Sequence, residues 1–474
     1  MKSPIESAGL LLTFSLALLW TLSSPAQSVT PGAQPAALRV LILSGEGENN
    51  SRESTVFLRH LLQDSGRFEA RVCESPVGLT VQTLASFEMV VDNSIGTSLG
   101  KETEKALETF VNSGKGLVVT RGGLDAASTS SAWLKLIKAT RTAKAAANVD
   151  APLHLFELKN ASPQHPVMSG LKTNWRTADQ PQTGLTLLSG TEVLGTNGQN
   201  EPLLFASNYG KGRVFITALG HDVGAMQEKA FITTFLRGAE WAGSGKVTLP
   251  TEIALPGPST NGLRVLVITG GHDHETAFYG LFDGYKEFGW VPVSDSTLAF
   301  KQDIRSKYDV LVFYDFTRDI DDKAKKNLRD FVESGKGVVV LHHGILSFQK
   351  WPWWYEEVVG GLYRLESKGG IPNSTVKFGE EHWITSAGKH PITEGLTPFH
   401  VTDETYKGLL ISSNNVPLLL TDNATSDRTV AWIGPCTTSK VVFIQLGHDH
   451  SPFQHPSYRA LVHNSILWTA GKLK

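Results

Sequence analysis

The stretch Lys440–His450, KVVFIQLGHDH, runs from apolar, β-branched residues into Gly447 and then His448, Asp449 and His450. Imidazoles and carboxylates this close together suit two kinds of chemistry: proton exchange between a histidine and an acid, and ligation of a divalent metal. Three more apolar runs in the same half end in the same way. Leu263–Thr269 leads into GGHDHE, with His272, His274 and Glu275. Val310–Tyr314 leads into Asp315, and Gly337–Leu341 into His342, His343 and Gly344. A further segment, Thr402–Tyr406 (TDETY), adds Asp403, Glu404 and Tyr406.

The apolar runs have the length and composition of buried strands. Lys323–Ser334 between two of them places Ala324, Leu328, Phe331 and Val332 on one helical face and stops at Gly335. Strand and helix alternating in this way give βαβ units and a doubly wound parallel sheet. Such sheets bind ligands beyond the C-terminal ends of their strands. Neighbouring strands lie roughly 5 Å apart, so side chains from adjacent strand ends can meet at one point. The catalytic candidates are His343, Glu404, Asp403 and Tyr406, with Glu404 or a histidine as general base and Tyr406 orienting substrate. His272, His342, His448 and His450 are the candidate ligands of a divalent metal, zinc or a similar first-row ion. Strand alternation sends His342 and His343 to opposite sides. For His274 a solvated loop is the plain alternative, and for Asp403 or Glu404 a capping role.

The chain contains the same text twice. LRVLILSG (Leu38–Gly45) returns as LRVLVITG (Leu263–Gly270), and FVNSGKGLVV (Phe110–Val119) as FVESGKGVVV (Phe331–Val340). GRVFITALGHD (Gly212–Asp222) returns as SKVVFIQLGHD (Ser439–Asp449). The expected domains are 38–245 and 263–474, joined by a Pro-containing linker at 246–262. Of 15 histidines, 11 fall in the second copy. In the first copy SGEGEN replaces GGHDHE, Arg121-Gly122 replaces His342-His343, and Val223 replaces His450. Both copies keep a His-Pro pair (His165, His390) and a Gly-His-Asp turn (His221, His448). The shared residues read as fold requirements and the second-copy residues as function. The first copy is therefore expected to be structural.

Length and composition narrow the class. A chain of 474 residues exceeds one core and suits two domains of roughly 200 residues. A net charge of −2 offers no basic surface for nucleic acid. Lys2, the apolar run Gly9–Trp20 and Ser24-Pro25-Ala26 have the layout of a signal peptide over 1–26. Export is therefore expected, with the mature chain starting near Gln27 and no membrane association afterwards. Cys73 and Cys436 fall one in each copy, which reads as two free, buried thiols rather than a disulfide framework.

Together, GGHDHE, VVVLHHGILSFQKWPWWYEEVVGG, KHPITEGL, DETY and LGHDHSPFQHPSYRALVHNSILWTAG resemble the ThuA-like family, named for trehalose utilisation. The resemblance spans the second copy, and the first is similar as a degenerate repeat. It implies two tandem flavodoxin-like α/β sheets, similar to those of class I glutamine amidotransferases, and a role in carbohydrate handling. In those amidotransferases a nucleophilic cysteine follows a central strand. Here that position holds His342-His343-Gly344, so thiolate chemistry is not expected. Many relatives carry a histidine shortly after the Gly-Gly of the aromatic segment; here LYRLES follows, leaving Arg364 or Glu366 as replacements. The expected partner is a small-molecule or oligosaccharide substrate, with Trp351, Trp354, Tyr355, His274 and Asp315 as candidate contacts. The aromatic run reads either as a sugar-stacking wall or as a flap over the core. An exported enzyme, hydrolase or isomerase, and a carbohydrate-binding protein without turnover both fit this pattern.

Overall fold

Each copy folds around a nine-stranded sheet. The computed structural model describes residues 36–45, 51–94, 98–125, 131–141, 153–253, 262–272, 274–317, 319–367 and 369–473. The expected signal segment 1–26, residues 254–261 of the linker and Asp273 lie outside the described residues. Residues 37–474 pack as one unit.

Across the second sheet the strands run Phe288–Val293, Leu263–Ile268, Val310–Phe313, Gly337–Leu341 and Val441–Ile444, all parallel. This is the flavodoxin-like order. Continuous Val/Leu/Ile/Phe runs allow these strands to be covered on both faces: Val310–Phe313, Gly337–Leu341 and Val441–Ile444 are buried throughout. The helix Asp322–Glu333 covers one face through Ala324, Leu328, Phe331 and Val332. Burying each large side chain contributes roughly 2 kcal/mol. Asp321 caps this helix by accepting from the Ala324 N–H, worth about 1 kcal/mol.

The sheet is not wholly parallel. Beyond Val441–Ile444 it continues antiparallel through Thr429–Ile433, Val416–Leu420, Thr375–Ser386 and Phe399–Lys407. TDETY lies on the last of these and folds back towards the parallel strand ends. The first copy repeats the arrangement, with Leu38–Ser44, Met89–Asn93, Gly116–Val119 and Gly212–Thr217 at its centre. The copies differ after their first strand. The first has the helix Ser51–Asp64 there, whereas the described residues of the second have a single 3-10 turn, Thr276–Leu281. The helix of the first copy packs against the second: Val56 belongs to the second copy's core, and His60 meets Trp290 edge-on at 4.5 Å.

Cys73 and Cys436 are free and half-buried, more open than the sequence suggested. Among the described residues no helix is long and apolar enough to cross a membrane.

Candidate active site

His342, Glu404 and His448 come together at the C-terminal edge of the second sheet. One ligand atom from each lies within 4.8 Å of the others. His342 follows its strand directly and has φ 47°, a left-handed conformation uncommon outside glycine. That turn overrides strand alternation. His342 and His343 therefore do not point to opposite sides; their rings lie 5.4 Å apart, with His343 packed beside the cluster.

The His342 ring is held from both ends. Its Nδ1 donates to the Gln445 carbonyl at 2.6 Å. Its Nε2 meets Glu404 Oε2 at 3.2 Å and the Tyr406 hydroxyl at 2.9 Å. The other Glu404 oxygen lies 3.1 Å from His448 Nδ1. Burial alone would push His342 down, but the bond to Glu404 and the charges of Asp403 and Glu404 carry its pKa above the ordinary value. Burial works to raise Glu404, yet the histidines hold it below the usual carboxylate range. Both directions favour an imidazolium–carboxylate pair. With Nδ1–H committed to a carbonyl, a neutral His342 presents its lone pair at Nε2, the arrangement typical of a metal-ligating histidine.

His343 has a different environment. Its Nε2 donates to the Tyr314 carbonyl at 2.7 Å, and its ring packs on Tyr314 at 4.2 Å and on His272 at 4.6 Å. Burial and the neighbouring imidazoles drive its pKa well below the ordinary value, so it is neutral. Its Nδ1 is buried with no hydrogen-bond partner among the described residues. Glu404 thus pairs with His342, not with His343. His272 is exposed and lies 6.3 Å from His448, ring to ring. Gly270 and Gly271 deliver it: both have positive φ, and a Cβ on either would fall about 2 Å or less from a backbone oxygen, Ser294 O at 1.6 Å or Phe316 O at 2.1 Å.

Several other expected residues have different roles. Asp403 is buried, and its carboxylate accepts N–H bonds from Gly447 at 2.7 Å, His448 at 3.0 Å and Glu404 at 2.8 Å. It builds the turn that carries His448 rather than facing substrate. Asp315 is fully buried and bonds Ser296 and Thr317, each at 2.6 Å, so it serves packing rather than substrate contact. Trp351 and Trp354 belong to the core, Trp354 lying 4.9 Å from Phe313 and 5.4 Å from Phe348, and Tyr355 packs partly buried against the same core. The rings of Trp351 and Trp354 are thus turned into the core, so they form no sugar-stacking wall. His274 is buried and bonds Tyr279 through Nε2 at 3.1 Å. His450 is exposed and pairs with Glu275 at 3.1 Å, outside the cluster. Arg364 fastens backbone carbonyls of Pro372 and Gly408, and Glu366 is exposed.

Sequence reasoning missed Gln445, Tyr314 and Phe378. Gln445 and Tyr314 act through backbone carbonyls, which leave no trace in residue type. Phe378 is 70 % exposed beside His448, 6.1 Å ring to ring, next to a bulge at Gly379. An exposed aromatic in an otherwise alternating strand is the signal that could have found it. A depression of about 710 Å³ lined by Leu263, Gly337 and Lys440 lies at the opposite, N-terminal edge of the strands, away from this chemistry.

The family model for ThuA, described as trehalose utilisation, matches residues 39–242 and again 264–469. The chain belongs to the ThuA family. The two matches make it a tandem duplication within that family. No curated protein matches it. Among solved structures, a ThuA-like protein from Parabacteroides merdae is 25 % identical with TM-score 0.40, over 45 % of this chain and 93 % of its own. One from Bacteroides uniformis is 16 % identical with TM-score 0.36, over 46 % of this chain and 95 % of its own. A cytoplasmic protein from Salmonella typhimurium is 13 % identical with TM-score 0.31, over 43 % and 98 %.

Proposed function

We propose that the second copy is a carbohydrate-processing enzyme, a hydrolase or isomerase of a sugar or glycoside, in which His342, Glu404 and His448 hold a divalent metal ion. The observation that carries this reading is the His342 ring, its Nδ1–H committed to the Gln445 carbonyl and its Nε2 facing Glu404 and His448. Two imidazoles and a carboxylate suit zinc or another first-row divalent ion, which when bound would polarise a hydroxyl or carbonyl oxygen. The family's trehalose-utilisation description supports a sugar as substrate.

The chain's own groups then divide the work. Tyr406, buried and hydrogen-bonded to His342, orients that imidazole. His343, buried and neutral, backs the rim by stacking on His272. His272 and Phe378 form the open rim, where Phe378 offers an apolar face to a sugar ring. The 3.2 Å His342–Glu404 contact also favours a second reading, metal-free acid–base catalysis by that pair. The binding-only alternative loses its main support, because the tryptophans that suggested a sugar wall are core.

The test is incubation of the purified chain with a panel of sugars and their oxidised derivatives, read by product chromatography. Turnover of one class, reduced about a hundredfold or more in Glu404→Gln, is the expected result. Absence of product from every class would overturn the enzymatic reading. We further propose that the protein acts outside the cytoplasm, on the strength of its Gly9–Trp20 segment. N-terminal sequencing of the mature chain should start near Gln27; a start at Met1 contradicts export.

A further inference from the structure

The first copy has lost the site histidines, yet it reaches directly beneath the second copy's site. We propose that Arg52 and Glu53, at the start of the helix Ser51–Asp64 of the first copy, are positioning residues for His272 and His274 of the second. The Arg52 guanidinium donates to the His274 carbonyl at 2.6 Å. Glu53 Oε1 accepts from the Thr269 hydroxyl at 2.8 Å and from the Tyr279 hydroxyl at 3.3 Å. Tyr279 in turn lies 3.1 Å from His274 Nε2. A carboxylate only accepts, so Glu53 draws on both hydroxyls, which also lie 3.1 Å from each other.

Burial makes this network demanding. Glu53 is 5 % exposed, Tyr279 1 % and His274 8 %. A carboxylate is kept in such a place only where its hydrogen bonds are made, and unmaking one costs roughly 1–3 kcal/mol. The network also brackets the functional loop. Thr269 precedes Gly270-Gly271-His272, and His274 and Tyr279 follow it. His272 leaves that bracket to stack on His343.

The fold explains why the support comes from outside. Between Leu263–Ile268 and Phe288–Val293 the described residues of the second copy contain only the turn Thr276–Leu281. The helix of the first copy lies against this region, with Val56 in the second copy's core and Arg59 bonded to Asp283 at 2.6 Å. The degenerate repeat has lost its own chemistry and supplies the helix that its partner lacks. Its contribution to the site is placement of His272.

This inference rests on reading the His272 rim as part of the substrate site. Its test needs neither substrate nor metal, so the two can fail separately. The full chain would carry 13Cε1-labelled histidine, with the His272 resonance assigned through His272→Gln. Amide exchange would be followed over residues 263–281 by mass spectrometry. Glu53→Leu should shift the His272 resonance and speed exchange across 269–281 about tenfold or more, while peptides of the distant strand Thr429–Ile433 stay unchanged. Glu53→Gln keeps an acceptor oxygen for Thr269 and Tyr279 and should restore both readouts. Arg52→Ala, which removes a half-buried side chain, should loosen the same segment and decides the matter if Glu53→Leu does not fold. A wild-type His272 resonance and wild-type exchange in Arg52→Ala and Glu53→Leu would overturn the proposal. So would uniformly faster exchange with no change specific to His272.

Discussion

The two copies place the same aspartate in the same cradle and surround it with different chemistry. Asp403 accepts from the N–H groups of Gly447 and His448 at 2.7 and 3.0 Å; Asp179 accepts from those of Gly220 and His221 at 2.7 and 3.1 Å. Burial pushes both carboxyls up to about 6. Counting from this shared point, Glu404 corresponds to Gln180 and Tyr406 to Gln182, while the matching strand ends set His342 against Arg121. The acid that shapes the turn is therefore a property of the fold. The acid one residue later belongs to the site. Residue type alone does not separate these adjacent carboxylates; their partners do.

The largest expected effect tests the shared half of this comparison. Asp403→Ala and Asp179→Ala each strand buried N–H groups and should each cost about 3 kcal/mol of stability in denaturant melts. A large loss in one copy with none in the other would break the equivalence. The copy-specific half comes next. Glu404→Gln should weaken zinc binding about a hundredfold by titration calorimetry, roughly 2.7 kcal/mol. Gln180→Ala in the first copy should leave that affinity unchanged.

Acid sharpens the contrast further. Metal ligation requires Nε2 of His342 unprotonated, and its pKa lies above 6.5. As pH is lowered, zinc affinity should therefore begin to fall while still above 6.5 and then decline about tenfold per pH unit for each proton displaced. In the metal-free chain the linkage has the opposite sign for the two partners. His342 is raised, so its stabilisation is complete below 6.5 and lost as pH rises through its folded value. Glu404 is lowered, so its stabilisation is present above 4.5 and lost as pH falls. Thermal melts of the apo-protein should accordingly show the pair's contribution largest between these limits, and Glu404→Gln should flatten that dependence. The smallest effect is expected at His450, where substitution by alanine should change zinc affinity less than about twofold, because its side chain is 62 % exposed and paired with Glu275.

What the sequence made legible follows from what is local. Apolar runs with a buried-strand signature marked the parallel strands, the repeat marked the duplication, and histidines just past the strand ends marked the candidate site. His342 and Glu404 could be named because their residue types are the signal. The antiparallel extension was not legible, since its pairing is non-local, and neither was the left-handed backbone of His342, which reverses the expectation from alternation. The tryptophans were misread as candidate substrate contacts because an aromatic-rich stretch looks alike whether its rings face solvent or core. The reach of Glu53 into the second copy was hidden for the same reason: two domains that share a fold need not each complete it.

The measurement that tests this account most directly is elemental analysis of the full chain purified without a His-tag and reconstituted with zinc, alongside His342→Ala and Arg121→Ala. The account predicts close to one metal ion per wild-type chain, loss of that ion in His342→Ala, and its retention in Arg121→Ala. Sub-stoichiometric metal in the reconstituted wild type, or equal metal content in all three proteins, would contradict it.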